Sequence, residues 1–182
     1  MFSAFIDTCV LYRHLVCDTL LTLAEDELYR PLWSEGVLEE LERNLADRIG
    51  PVGATGRVGS MRRSFDDAIV TGYEPLVNAI TNDAKDRHIL AAAVRSGADL
   101  LVTDNLRDFP PESTQPYDLE VITADAFLLN QLDLAPAATL VAMRRQVSRY
   151  SRPPRSLVQL LDALGRPGNA CGDFAAACRR YL

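Results

Sequence analysis

Five carboxylates stand where an α/β sheet would present its chemistry: Asp7, Glu40, Asp86, Asp104 and Asp108. Asp7 closes a short apolar run, Ser3–Ile6, and Asp104 closes another, Asp99–Thr103. Open α/β sheets bind ligands at the carboxyl ends of their strands. Asp86 falls at the start of the helix before the second run, Glu40 lies in a helix between Leu38 and Leu41, and Asp108 follows Asp104 by one helical turn. Helix phase leaves Glu39 in competition with Glu40, and Asp83 reads as an N-cap. Singly, each acid has an ordinary use as a strand-end turn residue, a dipole-matched helix start or a solvated charge. Gathered together, they would repel one another and draw up a proton. A divalent cation relieves that repulsion, and an all-oxygen set with no histidine or cysteine cluster favours Mg²⁺ or Mn²⁺ over zinc. Such an ion makes a bound water nucleophilic and stabilises charge at a phosphoryl centre. Thr8, Ser34, Thr103 and Asn105 are placed to orient carboxylates or water.

The elements that must carry these residues alternate. Ser3–Ile6 reads as a strand and Thr8–Leu23 as a helix with a broad apolar stripe. Tyr29–Trp33 reads as a second strand, and Ser34 as the N-cap of a helix through Val37, Leu38, Leu41 and Leu45. Gly50–Gly59, with four glycines and a proline, predicts a mobile loop, followed by a helix over Ser60–Val70. Ala84–Arg95 predicts a helix stopped by Ser96–Gly97, Asp99–Thr103 a buried strand, Pro110–Pro116 a loop, Leu119–Thr123 a strand and Ala124–Leu132 a helix. The alternation predicts an α/β domain with a central, mainly parallel sheet flanked by helices over residues 1–133. Beyond Asp133 the segments Pro136–Tyr150, Ser156–Leu164 and Asn169–Leu182 are helical with no strand between them, so 134–182 forms an all-helical extension.

The net charge of −6 conceals an asymmetry. Residues 1–139 carry 23 acids against 11 bases, whereas residues 140–182 carry eight arginines against Asp162 and Asp173. An acidic body suits cation collection; a basic tail is either a phosphate- or partner-binding surface or simply a solvated helix. The four cysteines lack paired metal-ligand spacing and read as free thiols in a reducing compartment. No apolar run is long enough to span a membrane and no signal peptide is evident, so a cytoplasmic protein without membrane association is expected.

Four blocks, in order, carry a family resemblance. They are Phe5-Ile6-Asp7-Thr8; Ser34-Glu35 through Leu38-Glu39-Glu40-Leu41; Lys85-Asp86-Arg87-His88-Ile89-Leu90-Ala91-Ala92-Ala93; and Leu101-Val102-Thr103-Asp104-Asn105-Leu106-Arg107-Asp108-Phe109-Pro110. Over roughly Phe2–Asp133 the chain resembles the PIN-domain ribonucleases, specifically the VapC-type toxins of bacterial toxin–antitoxin modules. Residues 134–182 resemble the helical C-terminal region of one subfamily. The resemblance implies a PIN-like fold and endonucleolytic cleavage of RNA with Mg²⁺ or Mn²⁺. It implies Asp7, Glu40, Asp86 and Asp104 as the acidic quartet, with Asp7, Asp86 and Asp104 on the metal. Asp108 is an additional or substitute acid, and the division of work between Asp104 and Asp108 stays open. Arg57, Arg62, Arg63, Arg87, Arg144, Arg145 and Arg149 are the expected phosphate contacts. A cognate antitoxin protein would block the acidic pocket, and the apolar helix faces also allow a homodimer. Two other classes remain. A phosphoacceptor receiver domain needs a lysine at a late strand end, and the single lysine, Lys85, stands at a helix start. A catalytically silent PIN-like module that only binds RNA or protein is the stronger alternative.

Overall fold

The computed structural model describes residues 2–182. Its centre is Ser3–Ile6 (β1), whose Ala4, Phe5 and Ile6 are fully buried. Such strands have no polar face because both sides of a parallel sheet are covered. Arg30–Ser34 (β2) pairs parallel with β1 on one side, Phe5 opposite Leu32. Leu100–Val102 (β4) pairs parallel on the other, Ile6 opposite Val102. Ile69–Val70 (β3) and Glu120–Ile122 (β5) complete the edges. Among the described residues the sheet runs β3-β2-β1-β4-β5, parallel throughout.

This order creates a switch point. From β1 the chain lays down β2 and then β3 on one side, and afterwards crosses to place β4 and β5 on the other. Helices leaving adjacent strands in opposite senses open a crevice at their carboxyl ends, here between β1 and β4. Asp7 N–H donates to the Val102 carbonyl at 3.0 Å and Thr103 N–H to the Ile122 carbonyl at 3.0 Å. The ladder thus holds both strand ends up to the residues that enter the crevice.

Contacts divide the chain into two compact units. One comprises Phe2–Tyr12 and Arg30–Ile122 and contains the whole sheet. Its helices are Thr8–Leu11 (α1), Glu35–Ile49 (α3), Pro51–Ser64 (α4), Arg87–Ser96 (α5) and Pro111–Thr114 (α6). The other comprises Arg13–Tyr29 and Thr123–Leu182. It holds His14–Glu25 (α2), Ala124–Leu134 (α7), Pro136–Ser148 (α8), Leu157–Leu164 (α9) and Gly172–Cys178 (α10). There Tyr29 meets Phe127 edge-on at 4.8 Å, and Leu20, Leu160, Leu161 and Phe174 are fully buried. No single helix among the described residues is long and apolar enough to cross a membrane.

Local expectations need correction in six places. Thr8–Leu23 is not one helix: Arg13 is extended (φ −78°, ψ 105°), separating α1 from α2. Gly50–Gly59 is not a loop but most of α4. Pro51 sits in its first turn, where its missing N–H costs nothing, and Ala54, Val58 and Met61 bury at i, i+4 and i+7. Burial of that stripe offsets about 1 kcal/mol of lost helix propensity per glycine. The helix expected over Ser60–Val70 ends at Ser64, since Ile69 and Val70 join the sheet as β3. The helix expected from Ala84 begins at Arg87, because Asp83 accepts the Lys85 N–H at 3.0 Å in a preceding turn. Pro110–Pro116 contains the short α6, and the last helix starts at Gly172, not Asn169.

Candidate active site at the β1–β4 crevice

The chain leaves β1 at Asp7, which is only 2 % exposed. Thr103, leaving β4 and wholly buried, donates its hydroxyl to Asp7 Oδ2 at 2.6 Å. The Cys9 thiol donates to the same oxygen at 3.1 Å, and the Cys9 backbone N–H also bonds the carboxylate. Asn105 N–H donates to Thr103 Oγ1 at 3.1 Å and fixes the hydroxyl's direction. Burial raises the Asp7 carboxyl above its ordinary range; the Thr103 and Cys9 bonds oppose the shift and the charge of Glu40 adds to it.

The second wall is α3. Ser34 caps it, its hydroxyl accepting the Val37 N–H at 3.2 Å, and Val37, Leu38, Leu41 and Leu45 anchor its buried face. That phase turns the two neighbours in different directions. Glu39 is exposed, whereas Glu40 accepts the Thr8 hydroxyl at 3.0 Å.

Asp86 supplies the third wall from the N-cap position of α5. Burial pushes its carboxyl up to about 6, helped by the charges of Asp7, Asp108 and Asp83. The Asp108 carbonyl accepts bonds from Asn82 Nδ2 at 3.2 Å and Asp83 N at 3.4 Å, which ties the turn after β4 to the turn before α5. His88 is held by Nδ1 against the Lys85 carbonyl at 2.9 Å and belongs to that turn.

A pocket of about 440 Å³ brings together Asp7, Thr8, Glu40, Asp86 and Asn105 with Cys9, Tyr12, Asn44 and Asp47. Asp104 is exposed and outside that lining, while half-buried Asp108 acts on Asp86 by its charge. Ser34 and Thr103 support the wall from behind. Among the described residues no group of three or more acidic, histidine or cysteine side chains stands close enough to hold a metal ion, so the acids line an open pocket and not a formed metal site.

The arginines are largely engaged within the protein. Arg57 Nη2 donates to the Leu11 carbonyl at 2.9 Å, Arg62 pairs with Glu35, Arg63 bonds Ser60 at 3.1 Å and Arg87 Nε bonds the Asn82 carbonyl at 3.3 Å. In the helical unit Arg145 pairs with Glu25 and Asp26, and Arg149 with Glu25, whereas exposed Arg144 has no partner among the described residues.

Sequence reasoning missed Cys9, Tyr12, Asn44 and Asp47. The signal for two was present: Asn44 and Asp47 repeat the Glu40 position at i+4 and i+7 on α3. Cys9 and Tyr12 carried none, because one continuous helix was expected there.

A parallel sheet with acids meeting at its β1–β4 switch point is the architecture of PIN domains. The PIN domain model matches residues 3–107, and the chain belongs to that family. The VapC50 C-terminal domain model matches residues 124–180. A protein of Mycobacterium tuberculosis (strain ATCC 25618 / H37Rv) named "Putative ribonuclease VapC50" is 44% identical over 115 residues, covering 63% of this chain and 66% of that one. The aligned part is therefore just under two thirds of the relative's length. No solved structure matches.

Proposed function

We propose that this chain is a divalent-cation-dependent endoribonuclease acting as the toxin of a cytoplasmic toxin–antitoxin pair. The observation that carries this is the convergence of Asp7, Glu40 and Asp86 on one pocket at the sheet's switch point. The donor chemistry fits Mg²⁺ or Mn²⁺. Asp7, Glu40 and Asp86 offer only oxygen donors, burial together with the charges of Asp7, Asp108 and Asp83 holds Asp86 up at about 6, and no basic side chain lines the pocket. Asp7 and Asp86 would hold the ion, with Glu40, Asp108 and the exposed Asp104 contributing directly or through water. When bound, the cation supplies positive charge beside the phosphate and acidifies a water.

The remaining work belongs to the chain. Thr103 and Cys9 fix Asp7 through its Oδ2, and Thr8 fixes Glu40. Asn105 fixes Thr103 through its backbone. Arg87 and Arg63, near the acids in sequence or on α4, and the unpaired Arg144 are the arginines we assign to phosphates. The open pocket, lined by acids without a counter-ion, suits an arginine of the antitoxin as competitor for the carboxylates.

The test is cleavage of an RNA mixture in Mg²⁺ or Mn²⁺ by the native chain, Asp7→Asn and Asp86→Asn. Cleavage that EDTA abolishes and either substitution lowers at least 100-fold supports the assignment. RNA binding without cleavage by the native chain would favour the silent binding module instead.

A further inference from the structure

Beyond the acids, the same pocket continues along α3 to three residues that the nuclease chemistry does not use. Asn44 and Asp47 stand one and two turns after Glu40 on the same face, and Tyr12 lies opposite at the end of α1. The Arg48 guanidinium sits over the Tyr12 ring, 5.5 Å from its centroid, which holds the ring in place by cation–π attraction. Among the described residues neither the Asn44 amide, the Asp47 carboxylate nor the Tyr12 hydroxyl has a hydrogen-bond partner, and Asn44 and Asp47 are exposed. An anchored aromatic ring, an open amide and an open carboxylate share one cleft with the acidic centre.

We propose that Tyr12, Asn44 and Asp47 form a nucleobase subsite that selects guanine in the nucleotide beside the bond to be cut. Resting on the nuclease assignment above, it names the substrate feature that the same pocket reads. Single-stranded RNA is recognised by stacking splayed bases on aromatic rings and bonding their edges. Tyr12 supplies the ring. An ionised carboxylate only accepts hydrogen bonds. On the Watson–Crick edge, guanine alone presents two adjacent donors, N1–H and N2–H, to match both carboxylate oxygens; adenine, cytosine and uracil offer one donor group beside an acceptor. Asn44 Nδ2 can donate to guanine O6. A carboxylate facing a polyanion is otherwise repulsive, so Asp47 penalises every base that does not satisfy it, which sharpens the choice. At about 440 Å³ the whole pocket has room for a base and its sugar-phosphate.

The experiment uses the full chain and short single-stranded RNA oligomers identical except for one central base: guanine, inosine (which lacks the 2-amino group) or adenine. Binding is measured in Ca²⁺ and cleavage in Mg²⁺. The guanine oligomer should bind on the order of tenfold or more tighter than the adenine oligomer, with inosine between them. Asp47→Asn should erase the guanine preference while leaving the Mg²⁺ concentration for half-maximal cleavage unchanged. Tyr12→Ala should weaken all three oligomers by on the order of tenfold, and Tyr12→Phe should restore binding. Equal binding of guanine and adenine oligomers by the native chain, or a guanine preference that persists in Asp47→Asn, would overturn the subsite. Oligomers bound with the expected preference but never cut would leave the subsite standing and remove the nuclease assignment. Cutting with no base preference would do the reverse.

Discussion

Asp86 is where this site is most sensitive to its charge state. Its carboxyl is pushed up to about 6, so without a cation the folded chain holds a proton that the unfolded chain has released between about pH 4 and 6. Stability of the metal-free protein therefore falls as pH rises through that window. Asp86→Asn removes this loss. At pH 7 in EDTA it should raise Tm by roughly 2–4 °C, about 1 kcal/mol after allowing for solvent screening at a half-exposed group. Cation binding needs the ionised form, so the affinity of the native chain for Mg²⁺ should drop as pH falls below about 6, read by titration at pH 5 and 7. A flat pH response would contradict the electrostatics described here. Thr103 tests the support behind Asp7, the proposed metal ligand. Thr103→Val leaves the buried Asp7 Oδ2 without its 2.6 Å bond, and should weaken cation affinity roughly 10-fold. Thr103→Ser should restore it, whereas a purely steric role would not.

At the scale of elements, caps and turns decide where the side chains point. Ser34→Ala should cost about 1 kcal/mol by removing the α3 cap, measured by denaturant unfolding. Gly97, at φ +64°, ends α5 in the left-handed region, so Gly97→Ala should destabilise by about 1 kcal/mol as well. Both signals were legible in the sequence because capping is local: Ser34 precedes an apolar stripe and Gly97 follows one. The apolar runs of β1 and β4, each closed by an acid, were legible for the same reason. The helix α4 was not. Its glycines argue locally for a loop, and only the burial of Ala54, Val58 and Met61 overrides them; Pro51 was the one local hint. The two-residue β3 is too short to show a period. At the site, Asp7 and Asp86 could be read from strand and helix ends. Their meeting with Asn44, Asp47 and Tyr12 depends on contacts distant in sequence, which no local pattern encodes.

At the scale of the whole chain, the charge asymmetry resolves into pairs. Glu25 and Asp26 engage Arg145 and Arg149 within the helical unit, so part of the basic tail's charge is compensated there. Arg144 is exposed and has no ion-pair partner among the described residues. Arg144→Ala should therefore reduce RNA affinity and flatten its salt dependence by about one unit in the log–log slope, with Tm unchanged. Arg149→Ala should instead cost roughly 0.5 kcal/mol of stability and leave the slope alone. Salt titrations of RNA binding by the two variants separate these outcomes.

What links the scales is a parallel sheet that delivers separate acids into one pocket, where we propose that a cation relieves their mutual repulsion. Titrating Mn²⁺ into the native chain and into Asp7→Asn and Asp86→Asn, with heat and electron paramagnetic resonance read together, tests that directly. At least one tight ion per native chain is expected, with affinity weakened more than 10-fold by either substitution. Equal Mn²⁺ affinity in all three proteins would contradict the account.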